Sequence, residues 1–194
     1  MKRSFLLLAG LSLYIALPGN LQGQALPTAA GPGSYVSAGA SVSAYQTDYG
    51  QRVIGGPAFF VDVHPSWRYG FEAEARYLRY RTSEGVTQTT YMAGPHIYAW
   101  KRGRLRVYGK FLVGQAKMNF PFGYAPGSSY LAYAPGGGVD YELNNYVSVR
   151  AVDFEYQSWP KFDFGPLHPY GISVGLTVRL NPIRTLPRHK YSWR

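Results

Sequence analysis

The residues of this sequence best placed for chemistry are a histidine and a serine separated by one residue, in the stretch His64-Pro65-Ser66. A serine hydroxyl becomes a nucleophile when a neighbouring base accepts its proton, and histidine can be that base. Proline and serine also both favour turns, so a turn is the better interpretation. The four histidines lack the spacing of metal ligands, and the absence of cysteine excludes thiolate sites and a cysteine nucleophile. We therefore expect no catalytic residue, no metal site and no cofactor.

A second set of residues that could form a site consists of charged side chains that alternate with apolar residues. Glu72, Glu74 and Arg76 are separated by single alanines. Alternation with a period of two is typical of a β-strand with one polar face. Inside a closed sheet such charges are expected to pair, because an unpaired buried charge is costly. The predicted polar network of the interior consists of Asp62, Glu72, Glu74, Arg76, Lys110, Asp140, Asp153, Glu155 and Arg179.

The same alternation predicts the elements that position these charges. Near the end of the sequence, Ile172, Val174 and Leu176 alternate with serine and glycine. No segment has the periodicity of an amphipathic helix. We predict eight strands, at residues 35–46, 52–64, 70–80, 90–100, 105–118, 130–142, 147–158 and 170–180.

The connections between these strands alternate in length. The tight connections are residues 65–69, 101–104 and 143–146. The longer connections are residues 81–89, 119–129 and 159–169. Barrels that span a membrane show this asymmetry. The sequence therefore predicts an all-β fold: an eight-stranded antiparallel closed transmembrane β-barrel with short periplasmic turns and longer external loops.

The polar face distinguishes a membrane barrel from a soluble one. Many of its residues are small, such as Ser41, Gly138 and Ser173. Small residues suit the narrow interior of an eight-stranded barrel, whereas a water-exposed surface would carry many lysines and glutamates. Only 15% of the 194 residues are charged and 46% are hydrophobic. We expect a polar interior and a lipid-facing exterior; a soluble, lipocalin-like barrel is the alternative.

Two features depart from simple alternation. Arg150 falls in the lipid-facing phase of its strand, whereas Asp153 falls in the interior phase. Arg150 either reaches the membrane interface or is returned to the interior by a bulge before Asp153. The second feature is a proline inside each of the strands two, four and six. Because proline has no N–H donor, we expect bulges or interrupted ladders at Pro57, Pro95 and Pro135.

The first 25 residues have the three parts of a secretory signal peptide. Lys2 and Arg3 precede 13 uncharged residues at 5–17, fewer than the ~20 needed to cross a bilayer as a helix. Small residues at 23 and 25 predict cleavage after Ala25; an uncleaved anchor is the alternative. The predicted segments are a signal peptide at 1–25, a linker at 26–33, the barrel at 34–180 and a basic periplasmic tail at 181–194.

The predicted barrel resembles a known family. Its last strand (YGISVGLTVRL, 170–180) and the stretches GFEAEARYLRY (70–80) and GGGVDY (136–141) are similar to strands of small outer-membrane barrels of the OmpA/OmpX type. The resemblance implies the bacterial outer membrane, contact with its lipid and lipopolysaccharide, and insertion by the outer-membrane assembly machinery. Such barrels often end on an aromatic residue, whereas this chain continues through 181–194. In that location we expect no nucleic-acid partner for the two basic clusters of the sequence, both of which are expected to face the periplasm. They are Lys101, Arg102, Arg104 and Arg106, and Arg184, Arg188, Lys190 and Arg194.

The expected function is non-enzymatic, with an envelope-structural, adhesion or surface-interaction role. The alternatives are an outer-membrane lipid-modifying enzyme and a narrow ion-conducting pore. Loops on a rigid scaffold usually carry the binding residues, and exposed aromatic groups mark contact sites. The contact candidates in the external loops are Phe120, Phe122, Tyr124, Phe162 and Phe164. Alternatively, these rings fold back over the mouth of the barrel.

Overall fold

The computed structural model describes residues 34–48, 53–80, 85–119, 129–163 and 165–180. They form eight strands and contain no helix that is long and apolar enough to cross a membrane. The strands are β1 (Tyr35–Gln46), β2 (Val53–His64), β3 (Tyr69–Arg79), β4 (Thr87–Arg102), β5 (Leu105–Asn119), β6 (Ser129–Glu142), β7 (Val147–Tyr156) and β8 (Tyr170–Arg179).

The eight strands close into a barrel in which each strand pairs with the next in sequence. All pairs are antiparallel, and β8 closes the barrel against β1 through pairs such as Val42 with Val174. The predicted fold class is therefore confirmed. The largest difference in strand bounds is in β4, which begins three residues earlier and ends two residues later than predicted.

Three tight turns lie at one end of the barrel, which we call the turn end. In the first, the hydroxyl of Ser66 accepts a hydrogen bond from the Tyr69 N–H at 3.1 Å. In the third, Asn144 Oδ1 accepts the N–H groups of Tyr146 and Val147, both at 2.8 Å. Side chains thus satisfy backbone donors at these reversals. Ser66 has the turn role that its sequence context favoured.

The connection from β7 to β8 lies at the opposite end, which we call the loop end. Its two arms pair like a short hairpin, because the Trp159 N–H donates to the Leu167 carbonyl at 2.8 Å and the reverse bond is 3.2 Å long. Gly165 near the tip has a φ of 108°, a conformation that L side chains rarely adopt. Because the connection from β7 to β8 folds as a hairpin, some of its side chains lie at the mouth of the barrel.

The barrel has an apolar exterior and a polar interior. The buried groups include six carboxylates, whereas large apolar side chains alternate with them on the outside. This distribution is the reverse of that in a water-soluble protein. The exposed apolar side chains include Val42, Phe59, Val61, Phe71, Tyr91, Ile97, Phe111, Leu131, Phe154, Ile172, Val174 and Leu176. Exposed aromatic side chains near the turn end are Trp67, Tyr69, Trp100, Tyr141 and Tyr146.

A bulge in β7 decides the position of Arg150. The register of β7 against β8 shifts between Arg150 and Asp153, so both side chains face the interior while Ala151 and Val152 face outward. Of the two placements open from the sequence, the bulged one is observed. The extra residue restores the alternation that a regular strand would break.

The prolines of β2, β4 and β6 are not at bulges; of the two expected outcomes, the interrupted ladder is observed. The other register shifts lie between Tyr98 and Trp100 and between Val139 and Asp140. At Pro57 the pairing of β2 with β3 keeps its register but skips the proline and the preceding glycine, and the pairing of β4 with β5 does the same at Pro95. The pairing of β6 with β7 stops at Gly136, next to Pro135. A missing N–H donor removes a bond without changing the residue count.

Candidate functional site

Buried acidic and basic side chains fill the barrel at mid-height, and we call them the ionic layer. Lys110 on β5 lies at its centre. Its Nζ is 2.7 Å from Asp153 Oδ2 and 3.3 Å from Glu155 Oε2, both on β7. The same nitrogen is 3.0 Å from Glu72 Oε1 and 3.5 Å from Glu74 Oε2, both on β3. One ammonium group thus links three strands that do not pair with one another.

Arg76 continues the ionic layer towards the loop end. Its guanidinium is 2.7 Å from Glu74 Oε1 and 2.8 Å from Glu155 Oε1. It also donates a hydrogen bond to the hydroxyl of Tyr45, which itself donates to Glu155 at 3.0 Å. Charge-assisted bonds of this kind are stronger than bonds between neutral groups. Arg76 therefore has ionic or hydrogen-bonding partners on three strands.

Two buried arginines of the interior were not predicted as part of the network. Arg150 donates to Glu72 Oε2 at 2.8 Å, and its guanidinium lies 3.8 Å from the ring centre of Phe60. Arg106, which the sequence placed in a basic periplasmic cluster, lies inside the barrel 3.7 Å from Asp140. The sequence does indicate that Arg106 faces the interior, because Arg106 lies on the same face of β5 as Lys110 in the alternation of the strand. The interior position of Arg150 depends on the bulge in β7, which strand alternation alone does not reveal.

The structure brings eight of the nine predicted network residues together around Lys110 and Arg150. Seven of them are central. Asp140 lies nearer the turn end, where it is 3.8 Å from Arg150 Nε and accepts a hydrogen bond from the Tyr98 hydroxyl at 2.8 Å. Arg179 pairs with Glu142, a residue absent from the prediction, and both side chains remain slightly exposed. The seven central residues are Asp62, Glu72, Glu74, Arg76, Lys110, Asp153 and Glu155.

A group of aromatic rings and two imidazoles packs below the ionic layer, towards the turn end. The ring of His64 stacks on Tyr35 with centres 4.6 Å apart, and His96 contacts Tyr108 edge-on at 4.5 Å. Nδ1 of His96 also approaches the ionic layer, at 3.5 Å from Asp62 Oδ1. The histidine–tyrosine cluster consists of Tyr35, His64, His96, Tyr98 and Tyr108. None of these histidines was predicted to belong to a site.

An aromatic cap, formed by Tyr130, Trp159 and Phe162, covers the ionic layer at the loop end. The ring centres of Tyr130 and Phe162 are 4.9 Å apart, and the Tyr130 hydroxyl donates to Asp163 at 2.6 Å. Trp159 is fully buried, and Phe162 is only 7% exposed. Phe162 is therefore not the exposed contact residue that we expected, because the hairpin turns its ring inward. Met92, Leu112 and Met118 pack in the same apolar cluster.

Hydrogen bonds connect the aromatic cap to the ionic layer. The indole Nε1 of Trp159 donates to Gln157 Oε1 at 3.1 Å. Gln157 then donates through Nε2 to Glu155 Oε1 at 2.8 Å, and Glu155 pairs with Arg76. Gln88 also donates to Gln157, at 3.2 Å. The hairpin is thus linked to the charges of the interior by a chain of hydrogen bonds.

Five predicted positions lie outside the described residues. They are the loop candidates Phe120, Phe122, Tyr124 and Phe164 and the expected cleavage position after Ala25. In the part of the chain that the structure does describe, no serine hydroxyl forms a hydrogen bond to a histidine ring. A serine nucleophile needs such a base within reach. In the described residues, the interior is packed with buried side chains, many of them linked by ion pairs.

Solved structures of other proteins have this fold. The structure of Neisserial surface protein A (NspA) superimposes with a TM-score of 0.63 at 13% identity, covering 75% of this chain and 96% of that one. The outer membrane protein OprG from Pseudomonas aeruginosa gives a TM-score of 0.54 at 9% identity, with coverages of 77% and 96%. This chain has the fold of a small outer-membrane β-barrel of the OmpA/OmpX-like type. No protein-family model and no curated protein matches the sequence.

Proposed function

We propose that this protein is a non-enzymatic barrel of the bacterial outer membrane, with a closed interior and an envelope-structural or surface-interaction role. The observation that carries the proposal is the filled interior, from the aromatic cap through the ionic layer to the histidine–tyrosine cluster. In an eight-stranded barrel, side chains of this size occupy the space that a channel needs. The apolar exterior and the ring of tyrosine and tryptophan near the turn end match the lipid-facing surface of such barrels.

The proposed location predicts a specific behaviour in fractionation and electrophoresis. We expect the protein, after removal of residues 1–25, to sediment with outer membranes. It should migrate faster on a gel unboiled than boiled, because a closed barrel keeps its compact shape in detergent until heated. Immunoblots of separated envelope fractions and mass spectrometry of the N-terminus measure both properties. Recovery as a soluble periplasmic protein would contradict the proposal.

The filled interior predicts that the protein does not conduct. Lys110, Arg76 and Arg150 have carboxylate partners at 2.8 Å or less, so a passing ion would have to disrupt several buried pairs. We expect no reproducible single-channel steps when the purified barrel is reconstituted in a planar bilayer. A porin reconstituted in the same bilayers is the positive control. Large, reproducible steps from this protein alone would favour a pore instead.

Contacts with the exterior are proposed for the loop end. The basic side chains of Arg79, Lys117 and Lys161 are exposed near that end and are suited to phosphate groups of lipopolysaccharide. Aromatic residues of the external connections, Phe120, Phe122, Tyr124 and Phe164, remain candidates for a surface partner. The assembly machinery of outer-membrane proteins is the expected partner during insertion. The tail at 181–194 is proposed to lie in the periplasm, with the linker at 26–33.

A further inference from the structure

Three neighbouring strands bring two carboxylates and one imidazole to a single point in the interior. Asp62 on β2, Glu72 on β3 and His96 on β4 each offer one ligand atom, and the three atoms lie within 4.8 Å of one another. All three side chains are almost completely buried. We propose that Asp62, Glu72 and His96 bind one divalent transition-metal ion, with zinc as the best fit, inside the barrel.

The spacing of the ligand atoms suits a tetrahedral ion. His96 Nδ1 is 3.5 Å from Asp62 Oδ1 and 3.7 Å from Glu72 Oε2. Zinc binds nitrogen and carboxylate oxygen at ~2.0–2.2 Å, which places two ligands of a tetrahedral ion roughly 3.3–3.6 Å apart. The observed separations are too long for good hydrogen bonds but close to this edge length. Small side-chain adjustments would place all three ligands around one ion.

Unsatisfied polar atoms at the same point are an independent observation. Both ring nitrogens of His96 lack a hydrogen-bond partner, although the residue is 0% exposed. Asp62 Oδ1, which faces His96 Nδ1, also lacks one. Buried polar atoms normally find partners, and each exception in a native interior requires an explanation. A metal ion would satisfy His96 Nδ1 and Asp62 Oδ1 together.

The charge balance of the interior also favours a bound cation. Among the residues that the structure describes, six carboxylates are buried but only four side chains with a permanent positive charge. The excess of two negative charges is what one divalent ion neutralises. The acids are Asp62, Glu72, Glu74, Asp140, Asp153 and Glu155. The bases are Arg76, Arg106, Lys110 and Arg150.

Surrounding groups hold the proposed ligands in place. Ser37 donates to Asp62 Oδ2 at 3.3 Å, which leaves Oδ1 for the ion. Glu72 is fixed by Lys110 on one oxygen and by Arg150 on the other. The ring of His96 packs between aromatic rings of the histidine–tyrosine cluster. In metal sites, the residues that bind the ion are regularly oriented by hydrogen bonds from the side chains around them. The imidazole favours zinc over calcium and magnesium, which prefer oxygen ligands.

The test begins with metal analysis of the whole barrel. Protein extracted in detergent from membranes of cells grown with zinc is passed over a desalting column and analysed by mass spectrometry for metals. A second sample is unfolded, stripped with EDTA and refolded with zinc, manganese, calcium or magnesium chloride. We expect about one zinc per chain in both samples. In the refolded sample, zinc should raise the temperature at which the fast gel band of the folded barrel converts to the slow band of the unfolded chain, whereas calcium and magnesium should have no effect on it. Less than about a tenth of an equivalent in both samples would overturn the proposal.

Two variants locate the ion. His96→Gln and Asp62→Asn retain side-chain size, and each should reduce bound zinc at least about tenfold. His168→Gln is the matched control, since this histidine lies at the loop end and stacks on Tyr156. It should retain zinc as the parent does. If the first two variants fold, as judged by gel mobility, and keep their zinc, the ion is bound elsewhere and the proposal is wrong. If they do not fold, the zinc dependence of parent refolding decides.

Discussion

Replacement of Lys110 by methionine is expected to lower the free energy of unfolding of the barrel by about 3–5 kcal/mol. The ammonium group is completely buried and lies within 3.5 Å of four carboxylates. Methionine fills a similar volume but leaves those acids without their shared partner in a medium of low dielectric constant. Unfolding in urea, followed by gel mobility or tryptophan fluorescence in lipid vesicles, measures the loss.

Lys101→Met is the matched control for this experiment. Lys101 also pairs with a carboxylate, Glu142 at 3.3 Å, but its side chain is 44% exposed. Exposed ion pairs contribute at most about 1 kcal/mol, so the control should unfold nearly as the parent does. Adding Asp153→Asn to Lys110→Met removes one of the unpaired acids and should recover part of the loss. Equal stability of Lys110→Met and Lys101→Met would indicate a hydrated interior.

The second large effect is expected for Gly94→Ala on β4. A Cβ atom built at Gly94 lies 2.0 Å from the carbonyl oxygen of Phe111 and 3.1 Å from Leu112 Cα on β5. These are backbone atoms, so a rotamer change cannot relieve the contact. The two strands would have to separate at this point. We expect a loss of about 3 kcal/mol or more, at the upper end of the cost of overpacking.

Gly109→Ala on the adjacent strand is the control for Gly94→Ala. The nearest atom to a Cβ at Gly109 is the Gly136 carbonyl oxygen at 3.9 Å, an ordinary contact. Both substitutions add one methyl group to a strand glycine, so propensity effects are the same. Refolding yield and urea midpoints of the two variants should therefore differ strongly. If both fold as well as the parent, β4 and β5 are less closely packed than the structure indicates.

The fold was predictable because alternation with period two is a local property. Strand β1 was predicted with its observed bounds, and the Glu72, Glu74 and Arg76 side chains share the interior face that their phase indicated. The charged residue Arg106 was missed because it stands among basic residues of a turn, although its phase matched that of Lys110. A nearby charge run is a weaker indication of position than the phase of the strand.

Other parts of the site depend on contacts across the barrel. The ligand atoms of Asp62, Glu72 and His96 are neighbours through the register of β2, β3 and β4, which no spacing in the sequence expresses. The inward turn of Phe162 depends on how the β7–β8 hairpin folds over the mouth. A single sequence gives the face of a residue within a strand, but register and loop conformation decide which faces meet.

The partners of Lys110 have a consequence for the order of assembly. The four carboxylates that surround its ammonium group lie on β3 and β7. In the order of strands around the barrel, these two lie on opposite sides of β5. An open sheet that has formed only some of its strand pairs leaves these acids and the ammonium in water, separated from each other. Charges in that state cannot enter hydrocarbon cheaply. We therefore expect closure of the last strand pair to be coupled to entry into the bilayer, with half-built barrels held at the aqueous surface until the wall is complete.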